Sequence, residues 1–210
     1  DPRLSPDGKW IVYSLSAVDS AKDKQTSDIW MTSIDGKEQV QLTNVEGEGS
    51  MARFSPDGKY ISFISKCNAC EEEEKKYSQV YLLDRRGGNV KAPITNYTWK
   101  PDGSGILLVM KDPDYTDTAK TKIRTPYVTD RYKFKQDYEG YLGDRKTHLY
   151  FFNITTRKLD TLTKGVFNET SPAWSPNGEM IAFVSNRTND PDKNANTDIY
   201  VMESKKGATA

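Results

Sequence analysis

The residues that could carry out hydrolytic chemistry are few in this chain of 210 residues. The only histidine, His148, opens the strand-like segment HLYFF. A serine hydrolase needs a histidine base beside an activated serine, commonly in a Gly-x-Ser-x-Gly turn between a strand and a helix. Neither GEGSMAR (47–53) nor PDGSGIL (101–107) fits that pattern, and no helical segment follows either. The sequence therefore predicts no catalytic residue in this chain, and a structural role for His148 at a strand end.

Cysteine and acidic residues indicate no metal site. Cys67 and Cys70 have C-x-x-C spacing, but a structural zinc site needs four nitrogen or sulfur ligands and a thioredoxin-type motif needs a βαβ unit. A local disulfide in an exported protein and two free loop thiols remain as alternatives. The acid-rich segments DPDYTD (112–117) and NDPDKNANTD (189–198) lack the glycine and terminal glutamate of a calcium loop. We therefore predict no metal and no cofactor.

Charge and hydropathy argue against two classes of partner. The 30 acidic and 30 basic side chains cancel, and no basic block stands out. Nucleic-acid binding usually requires clustered Lys and Arg, so we predict no nucleic-acid partner. No apolar run approaches the ~18–20 residues of a membrane span, and we predict none. A periplasmic or secreted location is favoured over a cytoplasmic one.

One turn motif occurs four times and predicts the elements that surround these residues. Proline presets the second turn position, Asp or Asn suits the third, and glycine closes a type I turn. A bulky apolar residue precedes each turn, and a run of β-branched and aromatic residues follows it, which is typical of a strand. Each copy therefore predicts a β-hairpin. The copies are LSPDGKW (4–10), FSPDGKY (54–60), WKPDGSG (99–105) and WSPNGEM (174–180).

Further segments recur after each hairpin and extend the repeat to a four-stranded unit. Third strands are predicted in DIWMTSIDG (28–36), QVYLLDRRGG (79–88), HLYFFNITT (148–156) and DIYVMESKKG (198–207), and fourth strands in VQLT (40–43), APIT (92–95) and DTLT (160–163). Repeated units of four antiparallel strands are the signature of β-propeller blades. We predict an all-β fold. A β-sandwich with chance turns is the alternative, and four copies of one turn disfavour it.

The repeat predicts four blades at about 1–47, 48–95, 96–167 and 168–210, the last without a closing strand. Since propellers normally close on themselves, we expect the chain to be part of a larger propeller. Fewer residues separate the threonine that ends a predicted fourth strand from the bulky residue before the next turn at Trp99 than at Phe54 or Trp174. Either blade three has a trimmed inner strand, or residues are absent there.

Long loops between the second and third strands should all emerge on one face of the propeller. For 15–27 and 186–197 we expect plain solvated loops. The insertion 111–146 is too long for a connector, and YVTDRYKFKQDYEGYLGD (127–144) predicts an antiparallel hairpin rich in aromatic residues. Loops on a rigid scaffold often carry recognition. We therefore predict contacts with substrate or with another domain for Arg124, Tyr127, Arg131, Tyr132, Phe134, Tyr138 and Tyr141.

These motifs resemble a known family. The segment PAWSPNGEMIAFVSNRTNDPDKNANTDIYVM (172–202) is similar to repeats shared by Tol-type periplasmic propellers and the prolyl oligopeptidase family. The segment TPYVTDRYKFKQDYEGYLGDRKTHLYFFNITT (125–156) is similar to the acylaminoacyl-peptidase and dipeptidyl-peptidase-like branch. The resemblance spans essentially the whole chain. It implies a seven- or eight-bladed propeller before a C-terminal α/β-hydrolase domain, which lies outside this chain and carries the Ser, Asp and His of a serine peptidase.

Two functional hypotheses follow from the resemblance. In the first, the chain is a non-catalytic propeller segment that gates or positions short peptides for the hydrolase domain of an exopeptidase. In the second, it is a stand-alone Tol-type periplasmic propeller that acts as a protein–protein interaction scaffold. The insertion favours the first. The expected partners are the hydrolase domain and short peptides, and a homo-oligomer stays open.

Overall fold

Antiparallel sheets built on the repeated turn make up the protein, which we describe from a computed structural model. The structure describes residues 1–20, 24–43, 47–67, 78–83, 88–90, 94–112, 131–137, 140–143 and 145–208. In these ranges every regular element is a β-strand, and no helix long and apolar enough to cross a membrane occurs among them.

The strands follow one another in four groups along the chain. The first group contains β1 (Arg3–Leu4), β2 (Trp10–Asp19), β3 (Lys24–Ser33) and β4 (Gln39–Gln41), and the second contains β5 (Gly47–Phe54), β6 (Ile61–Cys67), β7 (Gln79–Leu83) and β8 (Gly88–Val90). The third contains β9 (Ile94–Trp99) and β10 (Gly105–Lys111), then a two-stranded hairpin of β11 (Lys135–Gln136) and β12 (Gly140–Tyr141), then β13 (Thr147–Asn153) and β14 (Leu159–Thr161). The fourth contains β15 (Glu169–Trp174), β16 (Met180–Ser185) and β17 (Asp198–Glu203).

Within each group the strands pair antiparallel. In the third group β10 pairs with β13, and β11 and β12 form a separate two-stranded sheet. One parallel pair, Ser27 with Glu48, links the first group to the second. The predicted all-β architecture is confirmed.

The serine of the turn determines the hairpin geometry. At residues 55–60, the Ser55 hydroxyl donates to Asp57 Oδ1 (2.6 Å) and accepts from the Tyr60 amide (3.0 Å). The Gly58 amide donates to the Ser55 carbonyl (2.9 Å), with Gly58 at a φ of 71° that an L-residue rarely adopts. The turns at Ser5 and Ser175 repeat these bonds. The sequence motif therefore encodes a closed hydrogen-bonded unit.

The residue before each of the four turns lies in the same register. Leu4 pairs with Ile11, Phe54 with Ile61, Trp99 with Ile106 and Trp174 with Ile181. The predicted equivalence of Phe54, Trp99 and Trp174 is confirmed. The turns of successive sheets also approach one another, since a Cβ placed on the turn glycine would lie 3.6–4.0 Å from the Cδ of the preceding turn's proline. The pairs are Gly58 with Pro6, Gly103 with Pro56 and Gly178 with Pro101.

Strand β10 shows how neighbouring sheets share a core. Its residues Ile106, Leu108 and Met110 pack on one face in a cluster with Ile64, Val80, Tyr97, Trp99 and Tyr150. Residues Leu107 and Val109 pack on the other face with Leu149, Leu162, Ile181, Phe183 and Met202. Residues 105–110 of β10 are buried on both faces, which explains why GILLVM is an unbroken apolar run rather than an alternating one.

The recurring Leu-Thr ending has a structural role in two sheets. The Thr43 hydroxyl accepts from the Ile29 amide (2.9 Å), and the Thr163 hydroxyl accepts from the Leu149 amide (2.8 Å). Each threonine therefore binds the backbone of the third strand of its own sheet. Thr95 differs, because it belongs to β9 and its hydroxyl donates to the Val109 carbonyl (3.2 Å) on β10.

The prediction of a fourth strand at APIT is therefore wrong. In the second sheet the strand that pairs with β7 is Gly88–Val90, whereas Ile94 and Thr95 already form the inner strand of the third sheet. The spacing before Trp99 is short because Thr95 lies within the inner strand β9 of the third sheet.

The prediction of a plain solvated loop at 15–27 is also wrong, because strands β2 and β3 occupy most of these residues. Strands β2 and β3 stay paired out to Asp19 and Lys24. No Gly or Pro interrupts residues 14–19 or 24–28, and Val18 and Thr26 suit a strand, so the ladder continues to the end of the hairpin.

Candidate functional site

The insertion contributes a short antiparallel hairpin, as predicted. Lys135 pairs with Tyr141 and Gln136 with Gly140, and the Leu142 amide donates to the Phe134 carbonyl (2.9 Å). Among the described residues the strand pairing ends at Lys135 and Tyr141, and Arg131 and Lys133 bind the loop that follows β16. Of the predicted contact residues, Arg124, Tyr127, Tyr138 and the side chain of Tyr141 lie outside the described part of the chain.

Residues 131–134, here called the strap, are fastened to the loop that follows β16. The Arg131 Nη2 lies 2.6 Å from Asp192 Oδ1, and Arg131 Nη1 donates to the Gly143 carbonyl (2.8 Å). The other Asp192 oxygen accepts from the Lys133 amide (2.8 Å), and the Lys133 ammonium donates to the Asn194 carbonyl (3.0 Å). A single carboxylate thus binds both the side chain and the backbone of the strap. The hydrogen bond from Arg131 is the main cause that lowers the pKa of Asp192.

The loop 186–197 is ordered by its own side chains, which corrects the expectation of a plain solvated loop. The Asn186 amide donates to Asn194 Oδ1 (3.0 Å), and the Asn194 amide donates to the Thr188 hydroxyl (2.9 Å). Asn194 Oδ1 also accepts from the Asn196 backbone amide (3.0 Å). Asn, Asp and Thr readily form such local bonds, so NRTNDPDKNANTD encodes a shaped loop that can receive the strap.

A cavity of about 390 Å³ lies between the strap, the connection from β14 to β15, and this loop. Tyr132 (72% exposed) and Val166 (68% exposed) leave apolar surface open at its rim. Arg131 and Tyr132 are the predicted contact residues that line it, whereas Phe134, 45% exposed, lies outside. The lining consists of Arg131, Tyr132, Lys146, Val166, Phe167, Asn168, Asn186, Asp190, Pro191, Asp192 and Lys193.

A buried ionic cluster adjoins this cavity. His148, on β13, is 2% exposed, and its Nδ1 lies 2.6 Å from Glu169 Oε2 on β15. Its Nε2 lies 3.4 Å from Asp112 Oδ2, just after β10. Glu169 Oε2 also accepts from the Thr163 hydroxyl (3.0 Å). The cluster joins the third sheet to the fourth through charged side chains.

The two carboxylates favour the doubly protonated form of His148. Burial opposes the positive charge, but the hydrogen bond to Glu169 and the charges of Glu169 and Asp112 outweigh it and raise the pKa of His148 above its usual value. Because each ring nitrogen faces a carboxylate, only the imidazolium can donate at both positions. His148 is thus placed as a cation that holds two sheets together, in keeping with the structural role predicted for it.

Arg187 connects the ionic cluster to the cavity wall. Its Nη2 lies 3.6 Å from Glu169 Oε1, and its guanidinium lies 4.5 Å from the ring centroid of Tyr200 and 5.9 Å from that of Phe167, which lines the cavity. Neither Arg187 nor Glu169 was predicted from the sequence. The sequence did contain an indication for Glu169. This charged residue lies five positions before Trp174, where the second repeat has Gly49 five positions before Phe54. Among the described residues, no group of three or more His, Cys, Asp and Glu could hold a metal ion.

Two curated relatives that match nearly the whole chain are peptidases. The uncharacterized peptidase YuxL of Bacillus subtilis is 27% identical over 213 residues, covering 96% of this chain and 32% of the relative. Dipeptidyl-peptidase 5 of Porphyromonas gingivalis is 25% identical, covering 98% of this chain and 32% of its own length. The chain thus spans about a third of the length of these relatives. No protein-family model matches it.

Solved structures share the fold at lower identity. Acylaminoacyl peptidase of Pyrococcus horikoshii superposes with a TM-score of 0.72 at 19% identity, covering the whole chain and 31% of that structure. The β-propeller domain of the Trilobed protease from Pyrococcus furiosus gives 0.60 at 20% identity, covering the whole chain and 55% of that domain. TolB of Acinetobacter baumannii gives 0.55 at 21% identity, covering 97% of this chain and 40% of TolB. The predicted resemblance to peptidase and Tol-type propellers is confirmed, and the chain is a β-propeller segment.

From the raised pKa of His148 we predict how the free energy of unfolding depends on pH. Because its pKa in the folded protein exceeds the unfolded value of about 6.5, protonation stabilises the folded state. That stabilisation is complete below about pH 6.5 and is lost as the pH rises through the folded pKa. In urea unfolding, the free energy of unfolding should fall by up to about 1.4 kcal/mol per pH unit across that interval.

The control is His148→Gln, which keeps a polar side chain without the titration. His148 is the only histidine of the chain, so the variant should lose the slope in this interval. A flat profile in the unmodified protein, or an equal slope in the variant, would contradict the assignment.

The Asp192 carboxylate is predicted to hold the strap in place. Replacing Asp192 by alanine removes the partner of Arg131 Nη2 and of the Lys133 amide, and hydrogen bonds to charged groups contribute about 1.5–3 kcal/mol each. Limited trypsin digestion after Arg131, Lys133 or Lys135 should then become roughly tenfold faster or more, because local opening governs cleavage. The matched control is Asp190→Ala, whose carboxylate pairs with Lys193 and not with the strap. Equal cleavage rates in the two variants would refute the anchoring role.

Proposed function

We propose that this chain gates or positions short peptides for the serine hydrolase domain of an exopeptidase related to the prolyl oligopeptidase family. The observation that carries the proposal is the cavity between the strap and the loop 186–197, which leaves aromatic and aliphatic surface open on a fixed scaffold. The chain itself supplies binding surface, and the bond-breaking residues belong to the hydrolase domain.

The sheets give the cavity fixed walls. The Asn168 carbonyl accepts from the Ser185 hydroxyl (2.8 Å), and the next residue, Glu169, takes part in the buried ionic cluster. The opposite wall is the strap, which donates hydrogen bonds to the Asp192 carboxylate and to the carbonyls of Gly143 and Asn194. The wall at Asn168 is held by the sheets, and the wall at the strap is held by a few hydrogen bonds. A cavity between two such walls can admit some ligands and exclude others.

The comparisons support a peptidase context. Similarity to YuxL and to dipeptidyl-peptidase 5 covers 96% and 98% of the chain, which includes nearly all of the insertion and the four hairpins. The superposition on acylaminoacyl peptidase extends over the whole chain. A propeller in such an enzyme acts through access and orientation, so it should change the apparent affinity and the size limit of substrates more than the chemistry of the serine.

A Tol-type interaction scaffold is the second candidate, because TolB shares the propeller repeat over 97% of the chain. The superposition on acylaminoacyl peptidase has the higher TM-score, 0.72 against 0.55. A scaffold would require no peptide turnover by the full protein, so an assay of hydrolysis separates the two functions.

The test of gating uses the exposed aromatics of the strap region. Tyr132→Ala with Phe134→Ala removes open apolar surface at the cavity rim and beside it. In the full protein, we expect kcat/KM for short peptides to fall about tenfold or more, since an aromatic anchor commonly contributes 1.4 kcal/mol or more to binding. Turnover of a small ester substrate that does not reach the strap should stay within about twofold.

The matched control is the pair Ile34→Ala and Val40→Ala, two exposed apolar residues of the first sheet and its turn. These should leave peptide turnover unchanged. Unaltered peptide turnover in the strap variant would refute gating by this surface, and an absence of peptide hydrolysis in the unmodified full protein would favour the scaffold.

A further inference from the structure

We propose that the strap cavity binds a carboxylate group of a short peptide through the ammonium of Lys146 and the side-chain amide of Asn168. This inference rests on the proposed function and specifies the chemistry of the peptide that the cavity receives. Lys146 and Asn168 both line the cavity, and neither was among the contact residues predicted from the sequence.

Among the charged side chains that line the cavity, Lys146 is a cation with no carboxylate partner in the part of the chain that the structure describes. Asp192 is engaged by Arg131 and by the Lys133 amide, and Asp190 pairs with Lys193 (2.9 Å). The two carboxylates in the lining thus already have cationic partners. The half-buried Lys146 ammonium, by contrast, has no carboxylate within ion-pair distance among the described residues. The lining therefore carries a net positive charge, which favours an anionic ligand.

Asn168 supplies a fixed donor beside this cation. Its Oδ1 accepts from the Thr147 backbone amide (2.9 Å), next in sequence to Lys146. Because the oxygen is used in this way, the NH₂ group of Asn168 must point away from Thr147 and can donate to a ligand. The Asn168 carbonyl is held by Ser185 (2.8 Å), so the backbone of the residue is fixed as well. An ammonium and an amide N–H from adjoining segments form a suitable pair for a carboxylate.

The rest of the cavity is suited to an apolar side chain. Tyr132 and Val166 are both more than two-thirds exposed, and the Phe167 ring stands next to them in the lining. A volume of about 390 Å³ is at the small end of ligand pockets, which range over about 300–1,000 Å³. A carboxylate next to an apolar group describes the last residue of a short peptide, or an acidic side chain beside an apolar one.

The experiment is calorimetric titration of the protein with three capped dipeptides. The first is acetyl-alanyl-leucine with a free carboxylate, the second is its C-terminal amide, and the third is acetyl-glutamyl-leucine amide, which carries only a side-chain carboxylate. We expect the free acid to bind at least about tenfold more tightly than its amide, because a charge-assisted hydrogen bond is lost in the amide. Whether the third peptide binds like the first or like the second identifies the source of the carboxylate.

Variants at Lys146 locate the carboxylate. Lys146→Met keeps the aliphatic stem and should abolish the difference between acid and amide, whereas Lys146→Arg keeps the charge and should retain most of it. The matched control is Lys158→Met, an exposed lysine after β13 that does not line the cavity, and it should bind as the unmodified protein does. Equal binding of all three peptides, no binding of any, or an acid preference that survives Lys146→Met would overturn the proposal.

This outcome is separate from that of the proposed function. Gating is tested by turnover in the strap variant, and carboxylate binding by affinity at Lys146. If strap substitutions alter peptide turnover while acid and amide bind equally, gating stands and the carboxylate site falls. If the acid preference depends on Lys146 but the full protein hydrolyses no peptide, the binding site stands and the peptidase context falls.

Discussion

In three of the four hairpins, one serine hydroxyl closes the turn by hydrogen bonds to an acidic or amide side chain two residues later and to a backbone amide five residues later, and the register of the sheet follows from that turn. Once Ser55 closes its turn, Phe54 must lie opposite Ile61, and the same pairing follows at Trp174 and Ile181. That register directs alternate residues of each second strand to opposite faces. For β10 both faces meet a neighbouring sheet, so the sheets stack, and residues 131–134 lie against the loop that follows β16.

The third sheet shows that the turn can be closed by other bonds. Lys100 stands where the other three turns have serine, and its ammonium lies 2.9 Å from Asp102. The Ser104 hydroxyl donates to the same carboxylate (2.6 Å). The register of Trp99 with Ile106 is nevertheless retained. The constraint is therefore the position of an acceptor at the third turn residue, which Asp or Asn supplies in every copy.

Sequence predicts what local chemistry determines and misses what distant partners determine. The hairpins follow from turn residues within a few positions of one another, so their register could be inferred in advance. The strand at APIT could not, because Thr95 looks like Thr43 and Thr163 and only the sheet shows that its hydroxyl meets Val109. The role of the loop 186–197 was hidden for the same reason, since Arg131 and Asp192 are far apart in sequence and either side chain alone suggests solvent. Of the site, the aromatic strap was predictable, and the cluster of His148, Glu169 and Arg187 was not.

The claim most open to direct test is that peptides enter the cavity beside the strap. A short peptide that carries a photoreactive benzophenone side chain and a free C-terminal carboxylate can be irradiated with the full protein, and the crosslinked residues can be mapped by mass spectrometry. We expect labelling within 131–134, 166–168 or 190–193, and loss of labelling in excess unmodified peptide. Saturable labelling confined to the opposite end of the sheets, at the turns 5–8, 55–58 or 175–178, would contradict it.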